Sequence, residues 1–224
     1  LGHDGVEIRS PARIGQHIAR QGSEIRVGDI VLRAGTLVDP SVVAVLATVG
    51  SVKVSVGRRP RVGLLVTGDE LVEAGEIPPS GCIRNSNGPA LAALIRLVGG
   101  EVVSLGTVRD RAEDLERAIA QGLETDALVT SGGVSEGLFD LVEPALERMG
   151  VKFHFTKVAV KPGAPFAFGS RGETLVFALP GNPVSAQVTF DLLVRPSLRR
   201  MQGATDAVAL SMMATLGAPL INTS

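Results

Sequence analysis

From Arg61 onward the chain alternates short β-branched runs with segments whose apolar residues recur at helical spacing. Strands separated in this way by helices pair in parallel, with the helices packed on the faces of the sheet. The candidate strands are residues 61–66, 102–105, 127–130, 153–159 and 174–178, and the candidate helices are residues 89–98, 112–122, 138–149 and 184–201. Helix 89–98 runs into Gly99–Gly100, a stop signal, and helix 184–201 follows Asn182–Pro183, a cap with proline at the first helical position. Three of the four helices thus lie between strands, and the fourth follows the last strand. The expected fold class is α/β, a mostly parallel sheet with helices on both faces and a small N-terminal subdomain.

That subdomain, residues 1–59, has glycines at 15, 22, 28 and 35 and one clear helix, capped by Asp39, opened by Pro40 and closed by Gly50. Residues 57–60 join it to the α/β domain, residues 60–203, and residues 204–224 form a stub with weak periodicity. A chain of 224 residues, 45% hydrophobic and 20% charged, can bury one substantial core. Its formal net charge of −1 and lack of a lysine-rich run exclude a basic field for nucleic acid. The longest apolar runs fall well short of the roughly 20 residues a membrane helix needs. One cysteine cannot form an internal disulfide, and three histidines with it show no zinc spacing, so a reducing, cytoplasmic setting is expected. No secretory signal opens the chain, and a first residue other than Met leads to the expectation of sequence upstream.

In an open α/β sheet ligands bind beyond the carboxyl ends of the strands. The five strand ends carry TGDE (67–70), VRD (108–110), TSGGVSEGLFD (130–140), KPGAPFAFG (161–169) and LPGNPVS (179–185), and all would converge on one edge. Glu70, Asp110 and Asp140 are carboxylates at three strand ends, a set suited to Mg²⁺, although each alone also reads as a helix cap or solvated turn. Lys157 and Lys161 suit a phosphate or oxyanion, or are solvated surface charges. Gly132–Gly133 and Gly181–Asn182 offer backbone amides at helix starts, either as anion cradles or as plain turns. Phe166 and Phe168 alternate with neighbours as in a half-buried strand. His3, His17, His154 and Cys82 read as structural or solvated.

Taken together, TGDEL (67–71), NSN (85–87), TSGGVS (130–135), KPGAPFAFG (161–169) and LPGNPVS (179–185) resemble the molybdopterin molybdenumtransferase family, the MoeA proteins and the E domain of gephyrin, over roughly residues 13–203. The resemblance implies a molybdopterin-binding α/β domain, a homodimer, and Mg²⁺-dependent insertion of molybdate into adenylylated molybdopterin (molybdopterin-AMP) with release of AMP. It implies that Glu70, Asp110 and Asp140 are the acidic, metal-holding residues of the active site and that Lys157 and Lys161 bind an oxyanion. Thr67, Gly68, Asp69, Ser131, Gly132, Gly133, Val134, Ser135, Pro162, Gly163, Pro180, Gly181, Asn182, Pro183 and Ser185 would line the pterin and nucleotide pocket.

Three positions depart from the family pattern: Asn85 stands for an aspartate before SN, Arg111 for a second aspartate after Asp110, and Glu136 for a small apolar residue. The chain is expected to lack the family's long N-terminal region with its DGYA loop and most of the C-terminal β domain, residues 1–59 being a remnant of the family's domains, so ligand binding with weak turnover is expected. Two other readings stand beside this one. A molybdopterin adenylyltransferase of the MogA or MoaB type would carry Gly-Gly-Thr-Gly where Val134 and Ser135 follow the glycines. A non-catalytic binding or scaffold module is the third.

Overall fold

The computed structural model describes residues 9–133, 141–208, 213, 215, 217 and 218. The chain divides into two units, Leu1–Val52 and Lys53–Ser224. In the first, turns lead into helix α1 (Pro40–Thr48). The Asp39 carboxylate accepts the Val42 amide at 2.8 Å, Pro40 occupies a position whose N–H has no helical partner, and Gly50 leaves the helix at φ +74°. No residue of α1 is buried.

The second unit runs β1 (Arg61–Thr67), β2 (Leu71–Val72), β3 (Ile83–Arg84), α2 (Asn87–Leu97), β4 (Glu101–Val108), α3 (Ala112–Gly122), β5 (Ala127–Ser131), α4 (Val142–Arg148), β6 (Lys152–Phe155), β7 (Ala167–Arg171), β8 (Thr174–Leu179), α5 (Pro183–Thr189) and α6 (Arg195–Met201). Six strands form one sheet in the order β4-β1-β5-β8-β7-β6, and β2 with β3 form a small second sheet. Pairing is parallel across β4, β1, β5 and β8. Apolar residues cover both faces. Leu65 and Leu128 pack with Leu115, Ile119 and Leu146 of α3 and α4, while Val62 and Val129 pack with Leu91, Ile95, Phe190 and Leu198 on the other side. Strand β5 is buried along its whole length, which explains why its sequence shows no alternation.

Two expectations about this half of the chain are corrected. The strand expected over 153–159 stops at Phe155, and a further strand, β7, follows from Ala167, where the alternation of Phe166 and Phe168 reads as a half-buried strand. No helix separates β6 from β8, so this edge is an antiparallel meander. Phe166 and Phe177 are fully buried there, and the rings of Phe155, Phe166, Phe177 and Phe168 close a cycle of tilted contacts at centroid distances of 5.2–6.5 Å. The helix expected over 184–201 is broken by a π turn at Phe190–Val194. Pro196 has no N–H for the Leu192 carbonyl, so the ladder slips and the Arg195 amide reaches back to Phe190. The helix expected over 138–149 is seen from Val142, its expected start lying outside the described residues. Among the described residues no helix is long and apolar enough to cross a membrane.

The end of the sheet where β1 and β5 begin is tied by Asp126. Its carboxylate accepts from Arg58 Nη1 at 2.6 Å, Arg58 Nη2 at 2.7 Å and the Arg61 amide at 2.7 Å. The bidentate Arg58 hydrogen bonds hold the Asp126 carboxyl below its usual range, against the opposing pull of desolvation. A carboxylate with a depressed folded pKa stabilises the fold above its unfolded pKa and loses that contribution as pH falls through the folded one. Stability is therefore expected to decline as pH drops below about 4, and Asp126→Asn should flatten that limb. Because the Arg58 side chain is 71% exposed, the substitution should cost only about 1 kcal/mol at neutral pH, and less in high salt. Urea unfolding of both proteins across pH 3–7 checks this; identical acid limbs would refute it.

Candidate functional site

Parallel register sets four strand ends level. Thr67 pairs with Val108, Val66 with Ser131, and Ser131 with Leu179. Thr67, 2% exposed, donates its hydroxyl to the Asp110 carboxylate, and the Asp110 amide donates to Asp69 Oδ1 at 3.2 Å. The loop after β1 is thereby fastened to the loop after β4. At the end of β5, Gly132 adopts φ +95°, and a Cβ there would lie 2.2 Å from the Thr67 carbonyl oxygen. Only glycine allows β1 and β5 to close on each other so tightly.

Asn87 opens α2 and is buried. Its Nδ2 donates to Ser131 Oγ at 2.9 Å and to the Gly181 carbonyl at 2.8 Å, and Ser131 Oγ donates on to the Pro180 carbonyl at 3.2 Å. One amide group thus ties α2 to the ends of β5 and β8. Satisfied polar networks of this kind keep a site rigid before a ligand arrives.

Above these ends lies a cavity of about 360 Å³. It brings together Thr67, Gly68, Glu70, Asp110, Ser131, Gly132, Gly133, Gly181, Asn182 and Pro183 of the residues expected from sequence. Asp69, Pro180 and Ser185 are not in its lining but support it: Asp69 holds the Asp110 amide, Pro180 accepts from Ser131, and the Ser185 amide is taken by Asn182. Lys157, Lys161, Pro162 and Gly163 do not line the cavity. They sit on the loop between β6 and β7, closed by a Val158 amide to Ala164 carbonyl bond of 3.0 Å, where Lys157, Lys161 and Pro162 are exposed and Gly163 is buried against Thr189 of α5. Val134, Ser135 and Asp140 lie outside the described residues, as does Glu136.

The backbone cradles expected at the two glycine turns are partly occupied by the protein itself. The Gly132 amide donates to the Leu179 carbonyl at 3.2 Å. Asn182 Oδ1 accepts the Val184 and Ser185 amides at 3.1 and 3.2 Å, so the first turn of α5 is capped internally. Among the described residues no three His, Cys, Asp or Glu side chains come close enough to hold a metal ion. Glu70 and Asp110 nonetheless line one cavity with hard carboxylate oxygens, and Mg²⁺ is held through one or two carboxylates with water and substrate phosphate completing its shell. That donor set fits the ion.

Sequence reading missed Arg84 and did not place Asn85, Ser86 and Asn87 in the site, although NSN was noticed as a motif; all four line the cavity. Their signal was weak because β2 and β3 have two residues each, too short for any periodicity. Asn85, 6% exposed, has a definite role. Its Oδ1 accepts the Gly88 amide at 2.8 Å, which turns Nδ2 towards Thr107 Oγ1 at 2.8 Å. The Thr107 hydroxyl in turn donates to Glu73 Oε1 at 2.8 Å. An aspartate at position 85 would compete with Glu73 for that single hydroxyl proton and set two carboxylates against each other.

Asn85→Asp is accordingly expected to cost roughly 1–3 kcal/mol of stability at neutral pH. Glu73→Gln alone should cost little, whereas the double variant should recover most of the loss, since the new amide at position 73 can donate to Thr107 and Thr107 to the new carboxylate. Unfolding of the four proteins forms a double-mutant cycle. An equal cost of Asn85→Asp in both backgrounds would contradict the hydrogen-bond polarity.

Residues 63–200 match the family described as "Probable molybdopterin binding domain", and residues 2–50 match "MoeA N-terminal region (domain I and II)". The chain is 42% identical over 205 residues to a molybdopterin molybdenumtransferase of Haemophilus influenzae, covering 91% of this chain and 50% of that protein. It is 34% identical over 214 residues to one of Staphylococcus aureus, covering 95% and 51%. A solved molybdopterin biosynthesis moea protein from Pyrococcus horikosii superposes with a TM-score of 0.74 at 33% identity, over 89% of this chain and 51% of that one. The chain spans about half the length of the curated relatives it matches. With the first match running from β1 into α6, across the sheet and the cavity built on it, the chain belongs to the molybdopterin-binding domain family.

Proposed function

We propose that the cavity above β1, β5 and β8 binds adenylylated molybdopterin and that the chain serves molybdenum cofactor biosynthesis, in the Mg²⁺-dependent insertion of molybdate with release of AMP. The observation that carries this is the convergence of Thr67, Asp110, Asn87, Ser131 and Gly181 around one preorganised cavity, in a chain whose relatives are named molybdopterin molybdenumtransferases. Glu70 and Asp110, with Asp140, would hold Mg²⁺, which supplies charge neutralisation for the ligand's phosphates. Thr67 fixes the Asp110 carboxylate through its hydroxyl, so one oxygen of that group is oriented before any ligand binds. Asn87 holds the Ser131 and Gly181 turns against each other, which keeps the cavity open at a constant width. A homodimer in a reducing cytoplasm is part of the same reading, as are Lys157 and Lys161 binding the molybdate oxyanion.

Isothermal titration of the purified chain with AMP in the presence of Mg²⁺ tests the ligand assignment. Binding is expected in the micromolar to millimolar range, with heat depending on Mg²⁺. Glu70→Gln should weaken the Mg²⁺-dependent part while changing the melting temperature little, because Glu70 is exposed and folds back over Gly68 rather than into the core. Absence of heat at millimolar AMP in a folded sample would remove the ligand assignment. A Glu70→Gln protein that melts early yet keeps its Mg²⁺ dependence would make Glu70 a structural cap instead.

A further inference from the structure

The cavity carries two carboxylates, Glu70 and Asp110, and among the described residues that line it Arg84 is the one cation. A phosphorylated ligand entering such a cavity meets net negative charge unless a fixed positive group offsets it. Lys157 and Lys161 belong to a loop that does not line the cavity. The offset must come from the wall itself or from a bound cation.

Arg84 is unusually well fixed for an exposed arginine. It ends β3, whose neighbours are clamped by the Ile83 amide to the Glu70 carbonyl and the Asn85 amide to the Val72 carbonyl, both at 2.8 Å. Its Nε donates to the Glu76 carbonyl at 2.9 Å. The next residue, Asn85, is held by Gly88 and Thr107 as described above. With Nε anchored, the side chain has already lost much of its rotamer freedom, and the Nη1–Nη2 edge remains as a planar pair of donors. Such an edge matches two oxygens of a phosphate, which a lysine ammonium cannot reproduce.

We propose that Arg84 binds a phosphate group of the ligand through its Nη1–Nη2 edge, at the β2–β3 side of the cavity and independently of the Glu70 and Asp110 carboxylates. The assignment rests on the reading that this cavity is the ligand site. It separates two kinds of phosphate contact: one through a metal ion and the acids, the other direct and metal-free. The sequence offers no hint of it, since Arg84 lies in a two-residue strand between motifs.

The test titrates the 224-residue chain and its Arg84→Ala and Arg84→Lys variants, each shown to be folded by circular dichroism, with AMP, adenosine and 6-hydroxymethylpterin monophosphate. Each titration is run in EDTA and in Mg²⁺. In EDTA, Arg84→Ala should weaken the phosphate-bearing probe by roughly tenfold to a hundredfold, the range of a charged hydrogen-bonded contact, and leave adenosine unchanged. Arg84→Lys should fall between, because it keeps the charge but neither the anchor nor the fork. A loss confined to AMP assigns the nucleotide's phosphate, and a loss confined to the pterin probe assigns the pterin's. Wild-type and Arg84→Ala proteins that bind both phosphates equally in EDTA would overturn the role of Arg84 while leaving the cavity assignment standing. A wild-type chain that binds neither phosphate, with or without Mg²⁺, would overturn the cavity assignment and Arg84's role with it.

Discussion

Parallel pairing of β4, β1, β5 and β8 is the constraint on which the rest of this molecule depends. Parallel neighbours need long crossovers, and those crossovers become α2 and α3 between β1, β4 and β5, burying both faces of the central strands. The same register sets Thr67, Val108, Ser131 and Leu179 side by side. Once they are level, the loops beyond them have no choice but to meet. Gly132 against the Thr67 carbonyl is the tightest point of that meeting, and the Asn87 amide locks it.

The far edge of the sheet obeys a different rule. After β6 the chain turns back through a loop with no helix, and β7 and β8 form a hairpin through Gly172 rather than another crossover unit. Strands β6 and β8 still point the same way, which leaves the loop bearing Lys157 and Lys161 at the ligand end of the sheet, leading from the edge strand β6 into β7. Phenylalanines fill this edge, and His154 stacks on Phe168 at 5.3 Å and meets Ser170 Oγ at 3.1 Å, a structural histidine with no ligand geometry.

The cavity is held by hydrogen bonds that begin and end inside the protein. Thr67 serves Asp110, Asp69 serves the Asp110 backbone, and Asn85, Thr107 and Glu73 form a chain with one possible proton direction. Each donor used in this way is unavailable to a ligand, which narrows where an anion can be met: the Gly132 amide and the first amides of α5 are occupied. Rigidity and binding capacity are therefore divided between different groups.

Much of this was legible from residues alone. The positions of β1, β5 and β8, helix α3 to the residue, and the caps by Asp39 and Asn182 follow from local chemistry: buried β-branched runs, a 3.6-residue apolar period, and side chains that bond amides two or three positions ahead. The strand-end glycines were also visible as special, but their reason was not. Sequence suggested that Gly132 admits an anion, whereas its Cβ is excluded by the carbonyl of Thr67, on a strand far earlier in the chain. The same holds for Arg84 and Asn85, which became site residues only when α2 came to rest on the end of β5 and Asn85 met Thr107 of β4. By itself the sequence determined where strands and helices form, because propensity, capping and periodicity act over a few residues. The tertiary structure decided which loops share a cavity, which amides are already bonded and which charges face one another, because those depend on strand order and register between segments far apart in the chain.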